Sequence, residues 1–219
     1  MRQLPVYLLL DTSGSMSGEP IEALRNGVEI LVQALRKDPQ ALETVCVSII
    51  LFGSDATQVL PLTELAQLSQ AQLKKLLGGI AAGGQTSLGA ALALAAQRID
   101  QEVRKTTAQV RGDWLPLIYL MTDGLPTDDW RQGLAAFRRV QTGIVVACAA
   151  GSGADDRPLR EITSNVLHLD TVTSSDISAY MKWVSQTIAV SSRRIDGGGG
   201  QITSLSDLPP PPDQLTTLI

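Results

Sequence analysis

The run Asp11-Thr12-Ser13-Gly14-Ser15 directly follows the apolar stretch Tyr7-Leu8-Leu9-Leu10 and offers an acid and two hydroxyls at alternate positions. If the apolar stretch is a buried strand of an open α/β sheet, these residues lie on the loop past its carboxyl end, where such sheets bind ligands. Three hard oxygen donors converging on one point suit Mg²⁺, Mn²⁺ or Ca²⁺ and do not suit a soft metal. Serine and aspartate are also common helix caps, and Pro20 marks a helix start nearby. On this stretch alone, capping and metal binding both fit.

Two later loops carry donors of the same kind. Gly83-Gly84-Gln85-Thr86 opens a long alanine-rich stretch, and an apolar run over 115–121 stops at Thr122-Asp123-Gly124. Ser13, Ser15 and Thr86 are neutral donors, so Asp11 and Asp123 alone would balance a divalent charge. A site near net zero stays a good electrophile, and waters can fill the remaining positions of an octahedral Mg²⁺. An Asp or Glu carboxylate from a protein partner could replace one of those waters. Thr12, Gly14, Ser54, Asp55, Gln85, Leu125 and Pro126 would form the rim around that contact. Asp55 there would repel a badly placed acid.

Periodicity supplies the elements that must hold these loops. Strands are expected over 5–10, 45–52, 115–121, 143–149 and 166–169, the last of these closing the series. The spacing of Ile21, Leu24, Val28, Leu31 and Leu35 predicts a helix over 20–36. Further helices are expected from Ser69, with a capping-box pattern ending at Gly78-Gly79, and over 87–104, 128–140, 156–163 and 175–191. A short strand over 57–60 follows its predecessor too closely for a crossover helix, so it should run antiparallel at an edge. The alternation predicts an α/β fold: a doubly wound, mostly parallel sheet with one short antiparallel edge strand and helices on both faces. Residues 1–194 would form this domain. The Gly-rich and Pro-rich stretches around 197–200 and 209–212 predict a flexible tail over 195–219.

Composition narrows the function classes. A chain of 219 residues with 44% hydrophobic and 4% aromatic residues has an aliphatic core. A net charge of −4 gives no electrostatic footprint for nucleic acid, and Arg138-Arg139 and Arg193-Arg194 are too small to alter that. Nothing points to a membrane. The N-terminal apolar run reads as the first strand and not as a leader, and no segment has the roughly 18 apolar residues of a spanning helix. Cys46 and Cys148 fall in expected strands as small hydrophobes, which is simplest for a cytoplasmic protein.

Other chemistries fit less well. Gly79 to Thr86 approaches a phosphate-binding loop, but Gln85 stands where the lysine belongs. Ser13 replaces the second acid of a phosphatase-like D-x-D motif, and no G-x-S-x-G elbow is present. His168 sits inside a strand, near a sheet edge. Asp128 and Asp129 most simply serve a helix N-terminus, with Asp128 also near enough to Asp123 to support it. Trp114 and Trp130 are expected to pack beside the Asp123 loop.

The D-x-S-x-S run, the Gly-Gly-x-Thr loop opening a long helix and the strand ending in Thr-Asp-Gly together resemble the von Willebrand factor A domain over roughly residues 5–190. Asp11, Ser13, Ser15, Thr86 and Asp123 resemble its metal-ion-dependent adhesion site. The resemblance implies that the serines bind metal directly, that the aspartates act partly through water, and that Thr86 and Asp123 exchange roles with conformation. It implies a non-enzymatic Mg²⁺-dependent protein-interaction module. The stretch Met-Thr-Asp-Gly-Leu-Pro-Thr-Asp-Asp-Trp also resembles bacterial TerY-type proteins of tellurium-resistance and stress systems. That likeness implies a cytoplasmic adaptor working beside a protein kinase and a phosphatase. The rival readings are a metal-dependent phosphohydrolase with Asp11 as nucleophile and a subunit of a chelatase-like ATPase assembly.

Overall fold

A computed structural model describes residues 2–198, 200–202 and 204–218. Met1, Gly199, Thr203 and Ile219, which the domain and tail expectations also covered, lie outside the described residues. The chain runs β1 (Leu4–Asp11), α1 (Glu19–Arg36), α2 (Pro39–Thr44), β2 (Val45–Phe52), β3 (Ala56–Glu64), α3 (Gln70–Gly78), α4 (Leu88–Glu102), β4 (Leu117–Thr122), α5 (Trp130–Phe137), β5 (Val145–Ala150), α6 (Arg157–Ile162), β6 (Val166–Leu169), α7 (Ser174–Asp196) and β7 (Leu215–Leu218).

The strands form one sheet in the order β3-β2-β1-β4-β5-β6-β7. The five inner strands are parallel, while β3 and β7 pair antiparallel at opposite edges. This is the expected doubly wound arrangement, with a second antiparallel edge strand that the sequence reading lacked. From β1 the chain crosses over to β2 on one side, while β4 lies on the other. The β1/β4 boundary is therefore a topological switch point, the place where an open α/β sheet leaves a crevice.

Every position of β1 is buried, as a strand covered on both faces requires. Alternate residues serve opposite layers. Leu4, Val6, Leu8 and Leu10 join α1, α3 and α7 in one core, while Tyr7 and Leu9 join α4 and α5 in the other. Helix α1 buries Ile21, Leu24, Val28, Leu31 and Leu35, the stripe read from the sequence. Gly27 lets α7 approach, since a Cβ there would sit 2.8 Å from Met181 Cγ. The capping box of α3 is present: Ser69 Oγ accepts from the Gln72 amide and the Gln72 side chain accepts from the Ser69 amide. Cys46 and Cys148 are free and buried.

Several expectations are corrected. Helix α2 was not anticipated; Asp38 caps it by accepting from the Ala41 amide, and Pro39 opens it. Strand β3 is longer than expected: its pairing with β2 continues to Glu64 across two register irregularities. Strand β6 is not the last. His168 lies one strand in from the edge, opposite Thr216 of β7.

The flexible tail over 195–219 is also corrected. Helix α7 runs on to Asp196, and the segment after it turns back across the domain to supply β7. Ile202, Leu208 and Leu215 are at most 8% exposed within the main core. Trp183 Nε1 donates to the Pro209 carbonyl at 2.9 Å. Glycine and proline content misled here because three spaced aliphatics suffice to dock a stiff, otherwise polar segment. The strand it supplies covers a sheet edge that would otherwise expose unpaired backbone. None of the described helices is long and apolar enough to cross a membrane.

Candidate metal centre

Three loops meet at the carboxyl end of the β1/β4 boundary, and backbone hydrogen bonds lace them together. The first continues β1, with the Thr12 amide donating to the Phe52 carbonyl at 2.8 Å. The Gly83 amide then donates to the Thr12 carbonyl at 2.8 Å, and the Gly14 amide to the Gly84 carbonyl at 3.1 Å. The Thr127 amide donates to the Thr86 carbonyl at 2.9 Å, and Thr127 Oγ1 accepts from the Thr86 amide at 3.1 Å. Gly84 has φ +79°, and a Cβ there would collide with the Ser54 side chain, so only glycine fits this crossing. Buried Met16 anchors the short turn Gly14–Met16 that carries Ser15.

The side chains converge on this lattice. Ser13 Oγ and Ser15 Oγ are 3.0 Å apart, and Ser15 Oγ donates to Asp123 Oδ1 at 2.8 Å. Thr86 Oγ1 faces the Asp123 loop, 3.1 Å from where a Cβ on Gly124 would stand. Asp11 lies deeper: its Oδ1 accepts from the Ser13 amide at 2.7 Å and its Oδ2 from Thr122 Oγ1 at 2.5 Å. The structure thus brings together all five residues singled out from the sequence.

The electrostatics favour a cation. Burial pushes the Asp11 carboxyl up from its ordinary pKa, against the hydrogen bonds from Thr122 and Ser13 that hold it down. Burial likewise raises Asp123, against the Ser15 hydroxyl. Among the described residues, the charge acting on Asp11 is another carboxylate, Asp123. Two desolvated acids facing three hydroxyls form a hard, oxygen-only donor set with one clear deficit, a positive charge. That chemistry fits a small divalent ion. No group of three or more His, Cys, Asp or Glu side chains gathers among the described residues, so the hydroxyls are essential to this donor set.

The rim residues separate into two kinds. Gly14, Ser54, Asp55, Gln85 and Leu125 are exposed and Pro126 is half-buried, with Leu125 at 55% exposure. Thr12 is corrected: its side chain is buried and donates to the Phe52 carbonyl at 3.2 Å, so it braces the loop. Ser54 has a second role, since its Oγ accepts from the Gln85 amide at 3.2 Å. Sequence reasoning gave no role to Thr122 or Thr127; a hydroxyl at a strand end was the available signal for the first. Asp128 does serve a helix N-terminus, but that of α4, where it accepts from the Gly89 and Ala90 amides. Trp130 is buried in the core shared with α4, its backbone packed against Gly89, whereas Trp114 lies at the opposite end of β4 beneath Arg2.

A family model described as the von Willebrand factor type A domain matches residues 6–182. No curated protein matches the chain. Among solved structures, a von Willebrand factor type A protein from Catenulispora acidiphila is similar at 17% identity and a TM-score of 0.68, covering 86% of this chain and 43% of that one. The pilus adhesin SpaC from Lactobacillus rhamnosus GG is similar at 15% identity and TM-score 0.67, covering 86% and 31%. Proximal thread matrix protein 1 from the mussel byssus, solved with a zinc-occupied MIDAS motif, is similar at 19% identity and TM-score 0.62, covering 84% and 48%. The chain spans less than half the length of each of these proteins. At these identities the structures speak to the fold, and the family model carries the assignment: the chain belongs to the von Willebrand factor type A domain family.

Proposed function

We propose that this protein is a non-enzymatic, Mg²⁺-dependent protein-interaction module. Its metal would be held by Ser13, Ser15 and Thr86 with Asp11 and Asp123, with Mn²⁺ or Ca²⁺ as substitutes. The observation that carries the reading is the convergence of a buried carboxylate, Asp11, and a half-buried one, Asp123, with hydroxyl oxygens at the switch point. The metal-occupied motif of the mussel protein supports it by analogy of fold. A bound ion would supply Lewis acidity toward an anionic oxygen, most simply an Asp or Glu side chain of a partner. The protein's own residues set which partner fits: Leu125 offers an exposed apolar contact, and Asp55 disfavours a misplaced acid. Asp11 is a poor nucleophile, because it is 1% exposed and both of its oxygens accept hydrogen bonds. That argues against the phosphohydrolase reading. The TerY-like stretch after Leu120 supports a narrower setting: a cytoplasmic adaptor of a tellurium-resistance or stress system, acting beside a protein kinase and a phosphatase.

Thermal melts test the metal assignment. Mg²⁺ at about a hundredfold its dissociation constant should add about 2.7 kcal/mol to the wild type if it binds only the folded state. The Ser13→Ala/Ser15→Ala variant should show little of this gain in a titration carried into the millimolar range. Equal metal responses in both proteins would defeat the assignment. Affinity capture with Mg²⁺ and with EDTA then identifies the metal-dependent partner; a kinase or phosphatase among the proteins released by EDTA would support the adaptor setting. Co-purification with an ATP-dependent ring would favour the chelatase-like alternative.

A further inference from the structure

The other end of the same strand carries a feature that the metal centre does not use. An open groove of about 550 Å³ runs between the end of α4, the segment before β4 and the segment after α5. Val103, Leu115 and Val140 contribute apolar surface, while Arg104, Lys105 and Arg139 contribute cations. Because β4 rises about 3.3 Å per residue, the groove and the Asp123 loop lie roughly 20 Å apart. One small ligand cannot occupy both.

Charge decides the groove's occupant. Two acids line it, and both are already matched. Asp113 is held by the Arg104 guanidinium at 2.6 Å, with its side chain only 4% exposed. Asp100 pairs with Lys105 at 2.5 Å, but both side chains are more than 60% exposed, so an incoming acid can replace Asp100 at little cost. Two further cations are not matched by acids. Arg139 is exposed and has no carboxylate partner among the described residues. Arg2 donates to the backbone carbonyls of Gly112 and Asp113 and stacks 3.6 Å above the Trp114 ring. In the groove itself three cations, Arg104, Lys105 and Arg139, thus face two acids, with Arg2 at its margin over Trp114, in a molecule whose net charge is −4.

We infer that this groove is a second, metal-independent docking site for an acidic peptide segment carrying apolar side chains, placed opposite the metal end. Carboxylates of such a segment would meet Arg139 and Lys105 in the groove and Arg2 at its margin, and its apolar residues would cover Leu115, Val103 and Val140. Nucleic acid fits less well, because the Trp114 ring in the groove lining is covered by Arg2 and offers a base no open face to stack on, while Val103, Leu115 and Val140 call for apolar side chains. The inference does not depend on the metal reading.

Fluorescence anisotropy in EDTA tests it, with a labelled twelve-residue peptide alternating glutamate pairs and leucine as probe. Binding should be measurable at 50 mM salt, weaken at 300 mM, and fall at least tenfold when glutamine replaces glutamate or serine replaces leucine. Lys105→Glu with Arg139→Glu should also cost at least tenfold, while the melting temperature holds because both side chains are exposed. The milder Arg139→Gln should lose less. Absence of binding up to millimolar protein, indifference to the glutamine exchange, or full binding by the double charge-reversal variant would overturn the proposal. Equal competition by a single-stranded RNA of the same length would overturn it too.

Discussion

At the scale of single residues, Asp113 shows how tertiary contacts set a proton equilibrium. Burial alone would raise its carboxyl, but the Arg104 side chain and the amides of Gln3 and Arg104 outweigh burial and hold it below the ordinary carboxylate range. A folded-state value below the unfolded one contributes stability above the unfolded pKa, near 4. That contribution is lost as pH falls through the folded value. Asp113→Asn should therefore cost about 1–3 kcal/mol at pH 7, and the gap should close as urea unfolding is repeated toward pH 3. A gap that persists unchanged in acid would contradict this account. The gathering of Asp11, Ser13, Ser15, Thr86 and Asp123 at one loop cluster was legible in the sequence because each lies in a short polar loop that follows an apolar strand or opens a helix. Thr127 and Asp128 were not legible in their actual roles. Each acts on a segment about forty positions away, on the Thr86 amide and the α4 N-terminus, and such partners exist only after folding.

Elements with strong hydrophobic periodicity were read with the fewest errors. β1, β2 and α1 announce themselves by continuous apolar runs or a clean 3.6-residue stripe. The segment after α7 did not, because its order comes from contacts at wide spacing and from pairing with β6. Ile202→Ala should cost about 2–4 kcal/mol, as truncation of a fully buried aliphatic does. Deleting residues 201–219 should also destabilise the domain. The burial of its aliphatic side chains is partly offset by the entropy of ordering the segment. A net loss of about 2 kcal/mol would lower the melting temperature by about 4–8 °C. Unchanged melting after both alterations would show that the segment contributes nothing to the fold.

For the whole molecule, the sheet order explains why the site residues, scattered over more than a hundred positions, gather at one place. Parallel crossovers return the five inner strands in the same direction, so the loops after β1 and β4 face the same side. The same geometry limits the chemistry. Gln85 follows a turn and a loop and no strand, and its amide is engaged by Ser54, so the Gly79–Thr86 stretch does not make a phosphate cradle. Purified protein with Mg²⁺ and ATP should show no turnover above background, and Gln85→Lys should not create it. Robust metal-dependent hydrolysis by the wild type would overturn the non-enzymatic reading.

The pairing of β7 with β6 also has a consequence in time. A ribosome adding 5–20 residues per second needs about 2–9 s to pass from 170 to 214. Through that interval β6 has been made and β7 has not, so the β6 edge, and the indole of Trp183 once it is added, wait without the cover seen in the finished fold. An open edge strand invites pairing with a neighbouring nascent chain. Slower translation across this stretch should raise the aggregated fraction, and faster translation should lower it.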